Sequence, residues 1–236
     1  MILLLNKGIG NMKNIYVILS VTPTLIGKAV RIFTKSSFNH SSISLSENWS
    51  EMYSFARYRA SNPLVGGFVR EFPERLSLGK DKSVYIEVYK IPVSERQFNE
   101  IKSFIYSIRD DEEENIYNSR VIFSILFKQK VKTYKAYTCS EFVARSLLIG
   151  NLVPESQVSN NIIPDDIQKI INKYAFFSGC LNNYSPISGI SFDTEDFFQK
   201  TSVINETVRT FHHFYRLLQR RNMSSYLNIS RINKNI

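Results

Sequence analysis

The sequence is poor in cysteine and histidine, with two of the first, Cys139 and Cys180, and three of the second, His40, His212 and His213. Two cysteines exclude a disulfide scaffold. Neither belongs to a CxxC pair, and HExxH, G-x-x-x-x-G-K-[ST] and G-x-G-x-x-G are also absent. No motif therefore calls for a metal, a nucleotide or a dinucleotide, and no cofactor is expected. No run of about 18 uncharged apolar residues occurs, which excludes a membrane-spanning helix. The first residues lack the charged start, long apolar stretch and cleavage site of a signal peptide, so the expected location is cytoplasmic, at most peripheral to the inner membrane face.

What is present is enough for a core. Of 236 residues, 43% are hydrophobic and 22% charged, a composition that excludes a disordered chain. One domain with an appendage is expected: residues 1–12 as leader or extra strand, 13–185 as the domain, and 186–236 as a basic, partly helical extension. The net charge of +9 brings polyanions and anionic membranes into question. About half of it lies after Thr201, in Arg209, Arg216, Arg220, Arg221, Arg231 and Lys234 against Glu206 alone. Aromatic residues are scattered through apolar segments instead of alternating with a basic stripe, so the chain does not read as a nucleic-acid binder. Val208, Phe211, Phe214, Tyr215 and Leu218 recur at helical spacing in the tail, a pattern that suits docking on the domain, on a second copy, or on an anionic membrane.

Ile15 to Val21 is apolar and β-branched throughout, as in a buried strand. Thr24 to Thr34 reads as an amphipathic helix with Leu25, Ala29, Val30 and Phe33 on one side. His40 to Ser46 alternates, and a turn at Glu47-Asn48 leads into Trp49 to Phe55, which predicts a hairpin. Ala56 to Lys82, interrupted by Pro63, Gly66, Gly67, Pro73 and Gly79, reads as a loop over the sheet, regular only around Gly67 to Glu71. Ser83 to Ile91 is a strand. Ser94 with Gln97 opens a helix bearing Phe98, Ile101, Phe104, Ile105 and Ile108. Asp110 to Glu114 is a solvated loop, and a helix is expected over Tyr117 to Phe127. Pro164-Asp165-Asp166 starts a further helix.

The chemistry concentrates at Thr138-Cys139-Ser140-Glu141, where an apolar connector becomes a helix carrying Phe142, Val143, Ser146 and Leu147. A helix N-terminus lowers a thiol pKa and holds a developing oxyanion. Cys139 is thus a candidate nucleophile, and His40 the one histidine outside the basic tail that can serve as its base. The competing reading is an inert buried thiol and a structural histidine; Cys180 is assigned to the core outright. Arg57 and Arg59, after the histidine hairpin, can either face an anionic or carbonyl-rich substrate or lie solvated.

The order of an apolar strand, Thr22-Pro23, a helix, Phe38-Asn39-His40-Ser41-Ser42-Ile43, and much later Tyr137-Thr138-Cys139-Ser140-Glu141-Phe142-Val143 resembles the circularly permuted papain-like hydrolases of the NlpC superfamily. The likeness is to the YiiX-type branch, related to lecithin retinol acyltransferase-like proteins, and covers about residues 13–185. It implies an α+β fold, with a small antiparallel sheet flanked by helices and a helical C-terminal extension. It also implies a Cys139–His40 dyad that forms an acyl-enzyme on a small peptide, amide or acyl lipid. Acyl transfer or a catalytically weak binding module are the alternatives. The resemblance further implies a polar third residue on the strand after the histidine, best matched by Ser54. In a two-residue-turn register Tyr53 is the diagonal neighbour of His40, and Glu51 lies about 13 Å along the same face, while a one-residue shift of the turn brings Ser54 to the diagonal place. The oxyanion would be met by the Cys139 N–H and a further donor near Tyr137 or Thr138.

Overall fold

The computed structural model describes residues 12–80, 84–111, 115–119, 133–159 and 161–232. Residues 1–11 and most of the segment assigned to a Tyr117–Phe127 helix lie outside them, as do residues 112–114 of the acidic loop.

The fold is α+β. Strands β1 (Lys13–Ser20), β2 (His40–Ser44), β3 (Met52–Arg59), β4 (Asn62–Arg70), β5 (Tyr85–Val93), β6 (Ile116–Tyr117), β7 (Ala136–Tyr137) and β8 (Ala175–Cys180) form one sheet. Its order is β7-β6-β4-β3-β2-β1-β5-β8. Among the described residues only β6 and β7 run parallel, so the sheet is mixed and larger than the small antiparallel one expected. The helices are α1 (Leu25–Thr34), α2 (Pro73–Ser77), α3 (Glu95–Asp110), α4 (Cys139–Ile149), α5 (Pro164–Ile171), α6 (Glu195–Phe198) and α7 (Val203–Ile232).

Alternation along β1 divides the interior in two, because successive side chains of a strand point to opposite faces. Ile15, Val17 and Leu19 join Ile43, Phe55, Ile101, Ile105, Phe142 and Val143 in the larger core, between the sheet and helices α3 and α4. Tyr16 and Ile18 join Trp49, Leu76, Val88 and Tyr184 on the other face. Both faces of β1 are covered, which is why its sequence is apolar throughout. Helix α3 is held at its start by the predicted capping box of Ser94 and Gln97.

Three expectations need correction. The Ala56–Lys82 stretch is not a loop: β3 continues to Arg59, β4 fills Asn62–Arg70, and α2 follows. Gly66 and Gly67 are required there because a Cβ at Gly66 would lie 2.2 Å from the Ala56 carbonyl oxygen, and one at Gly67 2.0 Å from the Tyr58 hydroxyl. The β2–β3 register is one residue over from a two-residue turn, with Ile43 opposite Tyr53 and Ser44 opposite Met52. A longer turn makes the difference: the Leu45 N–H donates to the Glu51 carbonyl, and Trp49, at φ 61°, folds inward to stack on Tyr184. The amphipathic helix read over Thr24 to Thr34 forms as α1, with Leu25, Ile32 and Phe33 exposed. Cys180 is exposed as well, since β8 is the sheet's edge strand.

The C-terminal extension returns to the sheet. Leu217 of α7 is fully buried against Ile116 and Ala136, and the Asn62 amide donates to Glu206 Oε2 at 2.6 Å. Among the described residues no helix is long and apolar enough to cross a membrane.

Candidate active site

Cys139 is the first residue of α4, and Thr138 caps the helix. The Thr138 hydroxyl accepts from the Glu141 N–H at 3.2 Å, and the Thr138 N–H donates to Glu141 Oε2 at 2.7 Å. This capping box satisfies two backbone donors locally and takes the Thr138 N–H out of contention as an oxyanion donor. The N–H groups of Cys139 and Ser140, in the first turn, have no acceptor within the helix. An anion at Cys139 can accept from them, supported by the positive end of the helix dipole.

His40 opens β2, an interior strand between β1 and β3. Its placement is controlled from behind. Asp165, at the start of α5, accepts from the Ser36 hydroxyl at 2.5 Å, the Ser37 N–H at 2.7 Å and the Phe38 N–H at 3.1 Å. Asn39 bridges back to Thr22, accepting from its N–H at 2.8 Å and donating to its carbonyl at 2.9 Å. The chain on either side of the Thr22-Pro23 turn is thereby locked, with His40 next in line.

The imidazole shares its cleft with the Cys139 thiol, whose influence it feels, and it meets a carboxylate directly. The carboxylate is Glu71, whose Oε1 lies 2.9 Å from His40 Nε2. Glu71 immediately follows β4 and is almost fully buried. Its Oε1 also accepts from the Ser54 hydroxyl at 2.5 Å, while its Oε2 accepts from Arg75 Nε at 3.0 Å. Arg75 in turn donates to the Arg57 carbonyl, and its guanidinium lies 4.2 Å from the Phe197 ring centroid. His40, Glu71 and Arg75 form a buried relay of alternating charge.

The electrostatics follow from this arrangement. Burial works against the imidazolium, yet the hydrogen bonds and charges of Cys139 and Glu71 outweigh it and raise the His40 pKa to about 10. Burial alone would push the Cys139 thiol up. The His40 hydrogen bond and charge, with the Ser41 backbone and hydroxyl, overcome it and hold the thiol below its ordinary value. Burial likewise opposes ionisation of Glu71, but Arg75, His40 and Ser54 bring its pKa down to about 2. The state these shifts favour is thiolate, imidazolium and carboxylate in a row, the arrangement of an activated thiol nucleophile.

Of the residues singled out from sequence, Cys139 and His40 are brought together. Ser54 stands behind Glu71, and continuing the observed register sets it across from Ser42, whose hydroxyl lies 3.3 Å from His40 Nε2. Glu51 and Tyr53 are not at the imidazole: Glu51 accepts from the Tyr106 hydroxyl, and Tyr53 stacks on Phe68. The residue that sequence reasoning missed is Glu71. Its signal was the short regular stretch Gly67 to Glu71, ending in an acid amid apolar neighbours.

A cleft of about 130 Å³ opens at Cys139 and His40, walled by Asn39, Arg57, Tyr117, Ile162 and Phe197 among others. His213 of the tail is buried elsewhere, against Ser119. Burial and the neighbouring arginines outweigh its bond to the Tyr117 backbone, holding its pKa down at about 4. Among the described residues no cluster of three or more histidine, cysteine, aspartate or glutamate side chains is fit to hold a metal. No family model matches the chain, and no curated protein matches it.

Proposed function

We propose that this chain is a cysteine hydrolase of the permuted papain-like type, acting on an amide or ester through an acyl-enzyme. The observation that carries the reading is the buried row of Cys139, His40 and Glu71, with the thiol at a helix N-terminus. The thiolate Sγ attacks the acyl carbon, and the carbonyl electron pair moves to oxygen, where the Cys139 and Ser140 N–H groups receive it. As the tetrahedral intermediate collapses, the imidazolium gives its proton to the departing nitrogen or oxygen, that bond to carbon breaks, and a thioester remains. His40, now neutral, takes a proton from water as the water attacks the thioester. Collapse then expels the thiolate and releases the acid. Glu71 keeps the ring oriented and favours its charged form throughout. Transfer to an alcohol or amine in place of water would make the same site an acyltransferase.

The test is the pH dependence of Cys139 alkylation by iodoacetamide. In the wild type the inflection is expected well below the ~8.5 of a free thiol, and in His40→Ala it moves up. An unreactive Cys139, or the same titration in both proteins, would overturn the catalytic reading in favour of a binding module.

A membrane-surface location has its own support. Ile204, Val208, Phe211, Tyr215 and Leu218 form an exposed stripe along α7, beside Arg209 and Arg216. Such a helix suits an anionic bilayer, where apolar burial and charge attraction add. Cosedimentation with phosphatidylserine vesicles but not with phosphatidylcholine vesicles is expected, and lost in Phe211→Asp/Leu218→Asp; equal recovery with both lipids would rule it out.

A further inference from the structure

The charged side chains of the cleft balance except for one. The Cys139 thiolate has the His40 imidazolium, and the Glu71 carboxylate has Arg75 at 3.0 Å. Glu71 is the only acid lining the cleft among the described residues. The charge left over is Arg57, in β3. Its carbonyl is taken by Arg75, but its guanidinium has no hydrogen bond or ion pair with any described residue, and its contact with Glu71 and Tyr117 is through the field alone. Arg59, two residues on, contrasts with it: a register shift separates the two, and Arg59 lies 3.9 Å from Glu206 on α7. Arg57 is half-buried, and burial pulls its pKa down. A guanidinium stays protonated regardless, so the cleft retains a positive charge whose desolvation the fields of Tyr117 and Glu71 offset only in part.

The position of that charge relative to the nucleophile is marked by Tyr117. Its phenol feels both the Cys139 thiolate and the Arg57 guanidinium, so it stands within range of the two. Fold stability gives no reason to keep an unmatched arginine here, since the Glu71–Arg75 pair already completes the relay.

We propose that Arg57 is the anion-binding residue of the substrate pocket, and that the acyl group transferred to Cys139 carries a carboxylate or phosphate near its scissile carbonyl. The planar fork of the guanidinium matches either anion in a bidentate manner, and Tyr117 lines the same cleft. The inference rests on the Cys139–His40 reading above, and narrows its substrate to anionic amides or esters.

The experiment compares two alkylating reagents of nearly equal size, iodoacetate and iodoacetamide, which differ in charge. On the full chain, the rate ratio of iodoacetate to iodoacetamide at Cys139 is expected to fall about tenfold in Arg57→Gln, the loss of one charge-assisted contact. Arg57→Lys, which keeps the charge without the fork, should hold an intermediate ratio and covers the case in which the glutamine variant folds poorly. A ratio unchanged in both variants, or equal slowing of both reagents, would overturn the anion-binding role and leave the nucleophile standing. No alkylation by either reagent in the wild type would overturn both readings. Protection of Cys139 from iodoacetamide by acetate or by inorganic phosphate, compared at equal concentration, then tells the carboxylate from the phosphate.

Discussion

Glu71 Oε1 sits 2.9 Å from His40 Nε2 across 31 residues of chain, and the same carboxylate turns its other oxygen to Arg75. One side chain thus orients the imidazole and neutralises a buried guanidinium. Glu71→Gln keeps the shape and removes the charge. Arg75, nearly buried, is then left without a counter-ion, a change that destabilises by about 3 kcal/mol. The His40 pKa should drop from about 10 toward its ordinary 6.5. Denaturant unfolding reads the first effect, and the imidazole proton resonances followed through a pH titration read the second. An unchanged His40 titration would show that the carboxylate does not govern the ring.

The pH dependence of stability separates the two groups by sign. Glu71 has its pKa depressed from 4.5 to about 2. Its contribution is therefore complete above pH 4.5 and is lost as pH falls toward 2. The stability advantage of wild type over Glu71→Gln should shrink across that acid window. His40 is raised from 6.5 to about 10, so its contribution is complete below pH 6.5 and lost as pH rises through 10. Unfolding midpoints of the two proteins at a series of acid pH values check the prediction, and a constant difference down to pH 2 would contradict it.

Ser54 acts through Glu71. Its buried hydroxyl donates to the oxygen that also meets His40, and Ser54→Ala removes that donor at a cost of about 1 kcal/mol. The readout specific to positioning is the alkylation profile of Cys139. Its inflection should move upward in Ser54→Ala, by less than in His40→Ala, because a carboxylate with one bond fewer holds its charge, and hence the imidazolium, less firmly. A merely structural serine would lower the melting temperature and leave the inflection in place.

Asp165 controls the approach to His40 from a distant helix. Asp165→Ala deletes its three bonds to Ser36, Ser37 and Phe38, and a loss of about 2 kcal/mol is expected. Asp165→Asn, which keeps an acceptor oxygen, should recover part of it. The rate of Cys139 alkylation at neutral pH should follow stability down in the alanine variant, since the released segment leads directly into the histidine. Full reactivity in a destabilised Asp165→Ala would show that β2 pairing alone seats the ring.

Strands β1 and β5, helices α3, α4 and α5, and the cap at Ser94 were legible because each announces itself locally, by apolar pattern, helical spacing or a capping residue. The thiol and the histidine were legible through scarcity and position. Glu71 was not, for a reason of packing: β4 carries Pro63, Gly66 and Gly67, residues that signal a break when read in sequence. In the structure the two glycines admit the close approach of β3, and proline sits at the second residue of the strand. Which of the two β2–β3 registers forms was not legible for a similar reason, since the inward turn of Trp49 depends on Tyr184, 135 residues away. The exposed face of α1 was also beyond reach, because an apolar periodicity does not say what it faces.

The carboxylate, the base and the nucleophile lie at positions 71, 40 and 139, on pieces of chain that meet only when β2, β4 and α4 have closed around the sheet. During synthesis the thiol emerges last, some 99 residues after the imidazole that activates it. Before that closure Cys139 has neither helix end nor histidine to ionise it, and it behaves as any unfolded thiol. For the proposed chemistry folding is thus the activation step: in a nascent or partly unfolded chain Cys139 is not primed to take up an acyl group until the long loops have closed.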